Sequence, residues 1–257
     1  MAAPLIAIDK VSKSFGGGVA LSDVSIDIAP GAFVALVGAS GSGKTTTLKT
    51  ITRLVDPDSG EVRQDGQPVR NRPGPVLRRG IGYVFQGVGL FPHLTVAENI
   101  AATPRLLGWS EADVAARVAE LLDLVALPQA YAARFPDALS GGQQQRVGVA
   151  RALAAKPRIV LMDEPFGALD PITRIELGDA YRALHDRLAL TTVMVTHDVQ
   201  EAVLLADRIV VMKAGRVLAH DTPRNLLAGS PDADVAALMA SPKRQADRVA
   251  ALLAGAG

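Results

Sequence analysis

No cysteine occurs among the 257 residues, which excludes disulfides and thiolate metal sites and fits a reducing interior. Charge of one sign is not in excess either: 27 Lys and Arg stand against 26 Asp and Glu, for a formal net charge of +1. That balance leaves no electrostatic footprint for nucleic acid or an anionic membrane, both of which need clustered positive charge. Long apolar runs are missing as well. The longest, such as 32–39 and 202–206, fall far short of the roughly 20 residues that span a bilayer. The chain is therefore expected not to cross a membrane itself, so that any membrane role needs a partner that does. Met1-Ala2-Ala3-Pro4 leads straight into Leu5-Ile6-Ala7-Ile8 with no signal pattern. No internal repeat or long low-complexity run is present.

What is there suits a globular chain. With 49% apolar residues, it is long enough for a sizeable core in one large domain or two small ones. Short β-rich runs at 5–11 and 24–28, separated by Gly16-Gly17-Gly18, predict an antiparallel start. An apolar strand over 32–37 is followed by a glycine loop and a helix over 45–54. A turn at 56–60 and strands at 60–64 and 81–85 come next. Residues 111–125 then place Val114, Val118, Leu121, Leu122 and Val125 at the spacing of one buried helix face. This predicts an inserted helical subdomain at about 95–155. Beyond Ser140, helices alternate with apolar runs at 159–162, 192–195 and 208–212, the α/β pattern of a parallel sheet. Residues 241–257 read either as a helical tail or as a fraying end.

Gly38-Ala39-Ser40-Gly41-Ser42-Gly43-Lys44-Thr45 matches the phosphate-loop pattern, after a strand and opening a helix. Glycines let backbone N–H groups turn inward around phosphates, and the helix start adds a favourable dipole. Lys44 would reach the outer phosphates, and the Thr45 hydroxyl would coordinate Mg²⁺, with Thr46 behind it. Downstream, the apolar run Ile159-Val160-Leu161-Met162 ends in Asp163-Glu164, two carboxylates where ligands gather in open α/β folds. Asp163 suits a Mg²⁺ position, and Glu164 suits the base that polarises an attacking water.

Leu139-Ser140-Gly141-Gly142-Gln143 is a second glycine-rich helix start, also ready for an anion. One chain cannot easily close two such turns on a single triphosphate, whereas two chains head to tail can. With the two sites above, this turn resembles the nucleotide-binding subunit of ABC transporters, over about residues 5–229. The resemblance implies the ABC ATPase fold: a phosphate-loop α/β core with a parallel sheet, an N-terminal antiparallel β subdomain and an inserted α-helical subdomain. It implies ATP and Mg²⁺ as ligands, a second copy of the chain in a head-to-tail dimer, and residue roles carried by matching positions. Phe15 resembles the aromatic that stacks on adenine. Gln86 resembles the glutamine that touches Mg²⁺ and water and reports on the transmembrane partner. Asp170, in Gly167-Ala168-Leu169-Asp170, resembles the loop aspartate that crosses between ATP sites. His197 resembles the histidine that contacts the terminal phosphate. Without such context, His93, His185, His220 and Trp109 read as structural.

The stretch from Phe91 to Ile100 resembles importers, near the groove that takes the permease's coupling helix. Four strings narrow the resemblance: Ile51-Thr52-Arg53-Leu54, Arg78-Arg79-Gly80-Ile81-Gly82-Tyr83, Gly89-Leu90-Phe91-Pro92-His93 and Leu106-Leu107-Gly108-Trp109. They look like the osmoprotectant branch, which imports quaternary amines such as glycine betaine, carnitine or choline. The implied partners are transmembrane permease subunits and, indirectly, an extracytoplasmic solute-binding protein. The implied location is the cytoplasmic face of the inner membrane. Importers of amino acids, sulfonates or nitrate remain the alternative. An ABC-type ATPase acting on nucleic acid or ribosomes is disfavoured by the single cassette, the short interval from Lys44 to Ser140 and the balanced charge. A clamp that binds but does not hydrolyse ATP is disfavoured by Glu164 and His197. The expected organisation is an ATP-binding domain over 1–230 and a short tail over 231–257 without the regulatory domains that many relatives carry.

Overall fold

The computed structural model describes residues 3–254 apart from Val88 and Ala168. In chain order the elements are β1 (Ile6–Phe15), β2 (Gly18–Ile28), β3 (Phe33–Val37), α1 (Lys44–Ile51), β4 (Ser59–Gln64), β5 (Gln67–Pro68) and α2 (Gly74–Arg79). They continue with β6 (Ile81–Val84), α3 (Val96–Leu106), α4 (Glu111–Leu124), α5 (Gly141–Leu153), β7 (Ile159–Asp163), α6 (Pro171–Leu188) and β8 (Thr191–Thr196). The chain closes with α7 (Val199–Leu205), β9 (Arg208–Lys213), β10 (Arg216–Asp221), α8 (Pro223–Ala228) and α9 (Ala233–Ala254). No helix among the described residues is long and apolar enough to cross a membrane.

Among the described residues the strands form two sheets, β2-β1-β4-β5 and β10-β9-β3-β8-β7-β6. The first is antiparallel throughout; the second is parallel except at its β10 edge. Every residue of β3, β7 and β8 is buried, the mark of strands covered on both faces. Their side chains alternate between two cores, as a period of two requires. Phe33, Ala35, Val37, Val160, Met162 and Met194 point into the core shared with Ile100, Leu121, Val147 and Tyr181 of the helices. Val34, Leu36, Ile159, Leu161, Val193 and Val195 point into the other, with Ile6 and Val24 of the antiparallel sheet and Leu48 and Ile51 of α1. Burial of each such aliphatic side chain contributes on the order of 1.5–3 kcal/mol before entropy is charged.

Two local expectations are corrected. The first two strands are longer than 5–11 and 24–28, because β1 continues through the polar Lys10–Ser14 stretch by register shifts that absorb extra residues. The turn between them is confined to Gly16 and Gly17, both at positive φ. The helix after the phosphate loop ends at Ile51, since Arg53 adopts a left-handed conformation. For the C-terminal stretch the helical alternative is the one found: α9 starts at Ala233, buries Val235 and Met239 in the helical core, and runs through Pro242 to Ala254. Residues 255–257 of the expected tail lie outside the described residues.

His185 proves to be a core histidine. Its Nε2 lies 3.2 Å from the carbonyl oxygen of Gly31, and its Nδ1 lies 2.9 Å from Thr192 Oγ1, which Tyr181 Oη also approaches at 2.9 Å. The Gly31 carbonyl can only accept, so the proton sits on Nε2 and Nδ1 accepts from Thr192. Burial, with the nearby Arg182 charge, holds this ring below the ordinary histidine pKa. Folding therefore favours the neutral ring. The stability is whole above the unfolded pKa of about 6.5 and declines as pH falls below it toward the folded value. The thermal midpoint is expected to fall between pH 7.5 and 5.5, with His185→Gln giving a lower but flatter profile. An equally steep profile in that variant would contradict the assignment.

Candidate nucleotide site

The candidate residues gather where β6, β7, β8 and β3 reach their C-terminal ends, the usual ligand edge of an open α/β sheet. The phosphate loop follows β3 directly. At Gly38 the backbone has φ +150°, and a Cβ there would collide with the carbonyl oxygen of Met212. At Gly43, φ is +99°, and a Cβ would lie 2.7 Å from the carbonyl oxygen of Ala20. Side chains are thus excluded from both ends of the loop. Gly43 opens α1 with no side-chain cap, so the first N–H groups of the helix stay available to an anion. Ala39, Ser40 and Gly41 form the exposed tip, while Ser42 is buried beneath it.

Lys44 is folded onto its own loop: Nζ donates to the carbonyl oxygens of Gly38 and Ala39 at 2.8 and 2.9 Å and approaches Ser42 Oγ at 3.4 Å. Burial pulls its pKa below the ordinary lysine value, opposed by Glu164 and Asp163. Those carbonyls keep the ammonium in place at the loop. Thr45 Oγ1 donates to Asp163 Oδ1 at 2.8 Å. Burial raises the Asp163 pKa, while Thr45, Lys49 and Lys44 oppose the rise. Thr46 stands half-buried on the same helix.

Glu164 is the point where three loops of the site meet. Its φ of +48° is left-handed, a conformation that costs a non-glycine residue energy and persists where surroundings impose it. Its N–H donates to the carbonyl oxygen of Val195 at 2.9 Å. Its Oε2 accepts from Gln86 Nε2 at 3.1 Å and lies 3.5 Å from His197 Nδ1. The loops after β6, β7 and β8 thus meet on one carboxylate oxygen. The His197 side chain is 62% exposed and that of Glu164 25% exposed, so a ligand could reach both.

Phe15, at the end of β1, is 51% exposed with Lys13 Nζ 5.4 Å from its ring centroid. Its hairpin abuts the phosphate loop through Ala20 and Leu21 against Gly43.

The second glycine turn lies elsewhere. Ser140 caps α5 reciprocally with Gln143: Ser140 Oγ accepts from the Gln143 N–H at 3.3 Å, and Gln143 Oε1 accepts from the Ser140 N–H at 3.0 Å. Ser140, Gly141, Gly142 and Gln143 line one cleft together with Leu169 and Asp170. None of the residues lining that cleft belongs to the phosphate loop. Asp170 caps α6, its Oδ1 accepting from the N–H groups of Ile172 and Thr173 at 3.1 and 3.0 Å. Hydrogen bonds from Thr173, chiefly, hold its pKa low. Ala168 lies outside the described residues.

Sequence reading missed the residues that support the loop after β8. Thr196 Oγ1 donates to Glu201 Oε2 at 2.6 Å and accepts from the Asp198 N–H at 3.0 Å, bracketing His197. Arg174 reaches the same loop from α6, 3.4 Å from Asp198 Oδ2. The Thr196 contacts are local, whereas Arg174 comes from 24 residues upstream, with no sequence spacing to betray it. The Thr95-x-x-Glu98 capping box was legible in principle; it starts α3. Buried Asn99 then ties down the preceding loop, donating to the carbonyls of Phe91 and Leu94 at 3.1 and 3.0 Å. That loop borders an apolar groove beside Gln86, lined by Leu54, Tyr83, Phe85, Phe91 and Leu106.

A protein-family model described as ABC transporter matches residues 21–167, more than half of the chain and the span that holds the phosphate loop, the second glycine turn and the carboxylate pair. The chain belongs to the ABC transporter family. This ABC chain is 48% identical over 229 residues to the choline transport ATP-binding protein of Bacillus subtilis (strain 168), covering 89% of the chain and 60% of that protein. It is 50% identical over 224 residues to the glycine betaine/carnitine/choline transport ATP-binding protein of the same organism, covering 87% of the chain and 59% of that protein. It therefore spans less than two thirds of the length of these relatives. Among solved structures, a dimeric post-hydrolysis ATP-binding cassette bound to ADP and Pi matches with a TM-score of 0.78 at 35% identity, over 84% of this chain and 98% of that one. The α/β ABC ATPase fold is thus common to both.

Proposed function

We propose that this ABC chain is the ATP-hydrolysing subunit of an importer for a quaternary-amine osmoprotectant, acting with separate permease subunits on the cytoplasmic face of the membrane. The observation that carries hydrolysis is the convergence of Gln86 and His197 on one oxygen of Glu164, next to a phosphate loop with side chains excluded at Gly38 and Gly43. The solute class rests on the named relatives, which transport choline, glycine betaine and carnitine.

In this reading Lys44 exchanges its loop carbonyls for the outer phosphates of ATP, and Phe15 stacks on the base. The oxygen donors Thr45 and Asp163 are already in contact, and no group of three or more His, Asp or Glu placed to hold a metal ion by themselves occurs among the described residues. That set fits a hard cation which keeps water and phosphate in its shell, so Thr45, Gln86 and Asp163 would hold Mg²⁺. Bound Mg²⁺ neutralises charge on the phosphate oxygens. Glu164 takes the proton of the attacking water, with Gln86 and His197 fixing the carboxylate, and His197 reaches the terminal phosphate. Ser140 and the N-terminus of α5, in their separate cleft, serve the ATP held by a second copy, as does Asp170. The apolar groove beside Gln86 seats the permease, so that docking and the hydrolytic glutamine share one loop.

The test is reconstitution with candidate permease subunits, followed by uptake of radiolabelled choline and glycine betaine. Uptake is expected to require ATP and to vanish in Lys44→Ala, whose nucleotide affinity by calorimetry should fall at least about 100-fold, as loss of a charge-assisted contact allows. Vigorous uptake of an amino acid or sulfonate with none of quaternary amines would refute the solute class. Unchanged nucleotide affinity in Lys44→Ala would refute the site.

A further inference from the structure

One guanidinium joins two loops that the proposed mechanism sends to different ATP molecules. Arg174 lies in the first turn of α6, behind its cap Asp170. Its Nη2 donates to the carbonyl oxygen of Leu169 at 3.1 Å, fixing the backbone just before Asp170. Its Nη1 is 3.4 Å from Asp198 Oδ2 and its Nε 3.7 Å from Glu201 Oε1. Asp198 in turn caps α7 through the N–H groups of Gln200 and Glu201 at 2.8 and 3.3 Å. Glu201, only 10% exposed, takes the Thr196 hydroxyl. The backbone on both sides of His197 is therefore tied, through two acids, to Arg174.

This linkage has slack. Arg174 Nε is inaccessible to water and has no hydrogen-bond partner among the described residues. A buried donor left unmade is costly, and 3.7 Å to Glu201 is beyond a hydrogen bond. A small shift of α6 against α7 would close the gap and make the bond. Such a shift moves Asp170 relative to His197. Arginine suits the position because its planar fork can hold three acceptors at fixed angles, which a lysine ammonium cannot.

Resting on the proposed hydrolytic reading, we infer that Arg174 is a positioning residue that couples the two ATP sites of the dimer, holding His197 for its own site and Asp170 for the partner's. It touches no nucleotide in this arrangement and acts through the two loops. One consequence separates it from residues that serve a single site. Loss of His197 damages only the site of its own chain, and loss of Ser140 only that of the partner. Loss of Arg174 in one chain damages both.

The experiment mixes wild-type chain with increasing proportions of a variant and measures ATP turnover. Arg174→Met alone should lower kcat about 100-fold, about ten-fold through each loop it holds, the scale of losing hydrogen bonds to charged groups, with MgATP affinity by calorimetry within about two-fold of wild type. In mixtures the rate should fall as the square of the wild-type fraction for Arg174→Met, because mixed dimers lose both sites. It should fall linearly for His197→Ala, whose mixed dimers keep one. Arg174→Lys keeps the charge facing Asp198 and Glu201 and serves as the conservatively folded variant; its mixtures should also follow the square. A linear fall for Arg174→Met, a square law for His197→Ala as well, or full rescue by lysine would overturn the inference. So would a joint loss of affinity and thermal stability, which marks a merely structural arginine. Wild-type turnover, measured in the same series, tests the hydrolytic reading independently.

Discussion

Glu164→Gln is expected to lower ATP turnover by roughly 10³-fold, within the range that a positioned general base contributes, while MgATP still binds and a nucleotide-bound dimer accumulates. Glutamine has the shape of the glutamate it replaces and leaves the backbone hydrogen bond to Val195 intact. What disappears is the negative charge on which both Gln86 and His197 converge. The phosphate loop keeps its geometry, since the Lys44 ammonium hydrogen-bonds loop carbonyls and Ser42. Binding and chemistry should therefore separate cleanly: dimer by light scattering with MgATP, and almost no phosphate release. Turnover within a few fold of wild type would remove Glu164 as the base.

Ser140→Arg is expected to cost roughly 10²-fold or more in turnover, as loss of a transition-state donor does. The difficulty is that Ser140 also caps α5, and losing a cap costs about 1 kcal/mol in its own right. Ser140→Asp separates the two roles. Aspartate caps as well as serine but turns a negative charge toward the partner's phosphates. The thermal midpoint should stay near wild type while turnover falls as far as with arginine. Preserved turnover in the aspartate variant would mean that the serine is only a cap.

The order of elements and the location of the site were largely legible in the sequence, and the reasons are local. The strand at 32–37 ends in a glycine loop whose conformation only glycine permits at Gly38 and Gly43, so the motif carries its own geometry. The run at 159–163 is buried along its whole length, and its apolar continuity said so. The helix at 111–124 buries Val114, Val118, Leu121 and Leu122, the face its periodicity indicates. What could not be read is set by contacts far apart in the chain. The polar continuation of β1 is held by pairing with β2 and β4 through register shifts. His185 reads as structural and is so, but its partners, Thr192 in β8 and Gly31 in the turn before β3, could not be named from the sequence. Arg174 and Glu201 were invisible for the same reason. Their meeting depends on how α6 lies against α7, and no spacing within either helix encodes it.

The account stands on two chains sharing each nucleotide, and the cysteine-free sequence allows that to be measured directly. Ser40, at the exposed tip of the phosphate loop, and Ser140, in its separate exposed cleft, can each be replaced by cysteine in a Glu164→Gln background. Under mild oxidation with MgATP, a mixture of the Ser40→Cys and Ser140→Cys chains should form a disulfide-linked dimer containing one of each. Neither chain alone should do so, and ADP should not support it. Linked dimers of Ser140→Cys with itself, or no ATP-dependent link in the mixture, would contradict the shared site.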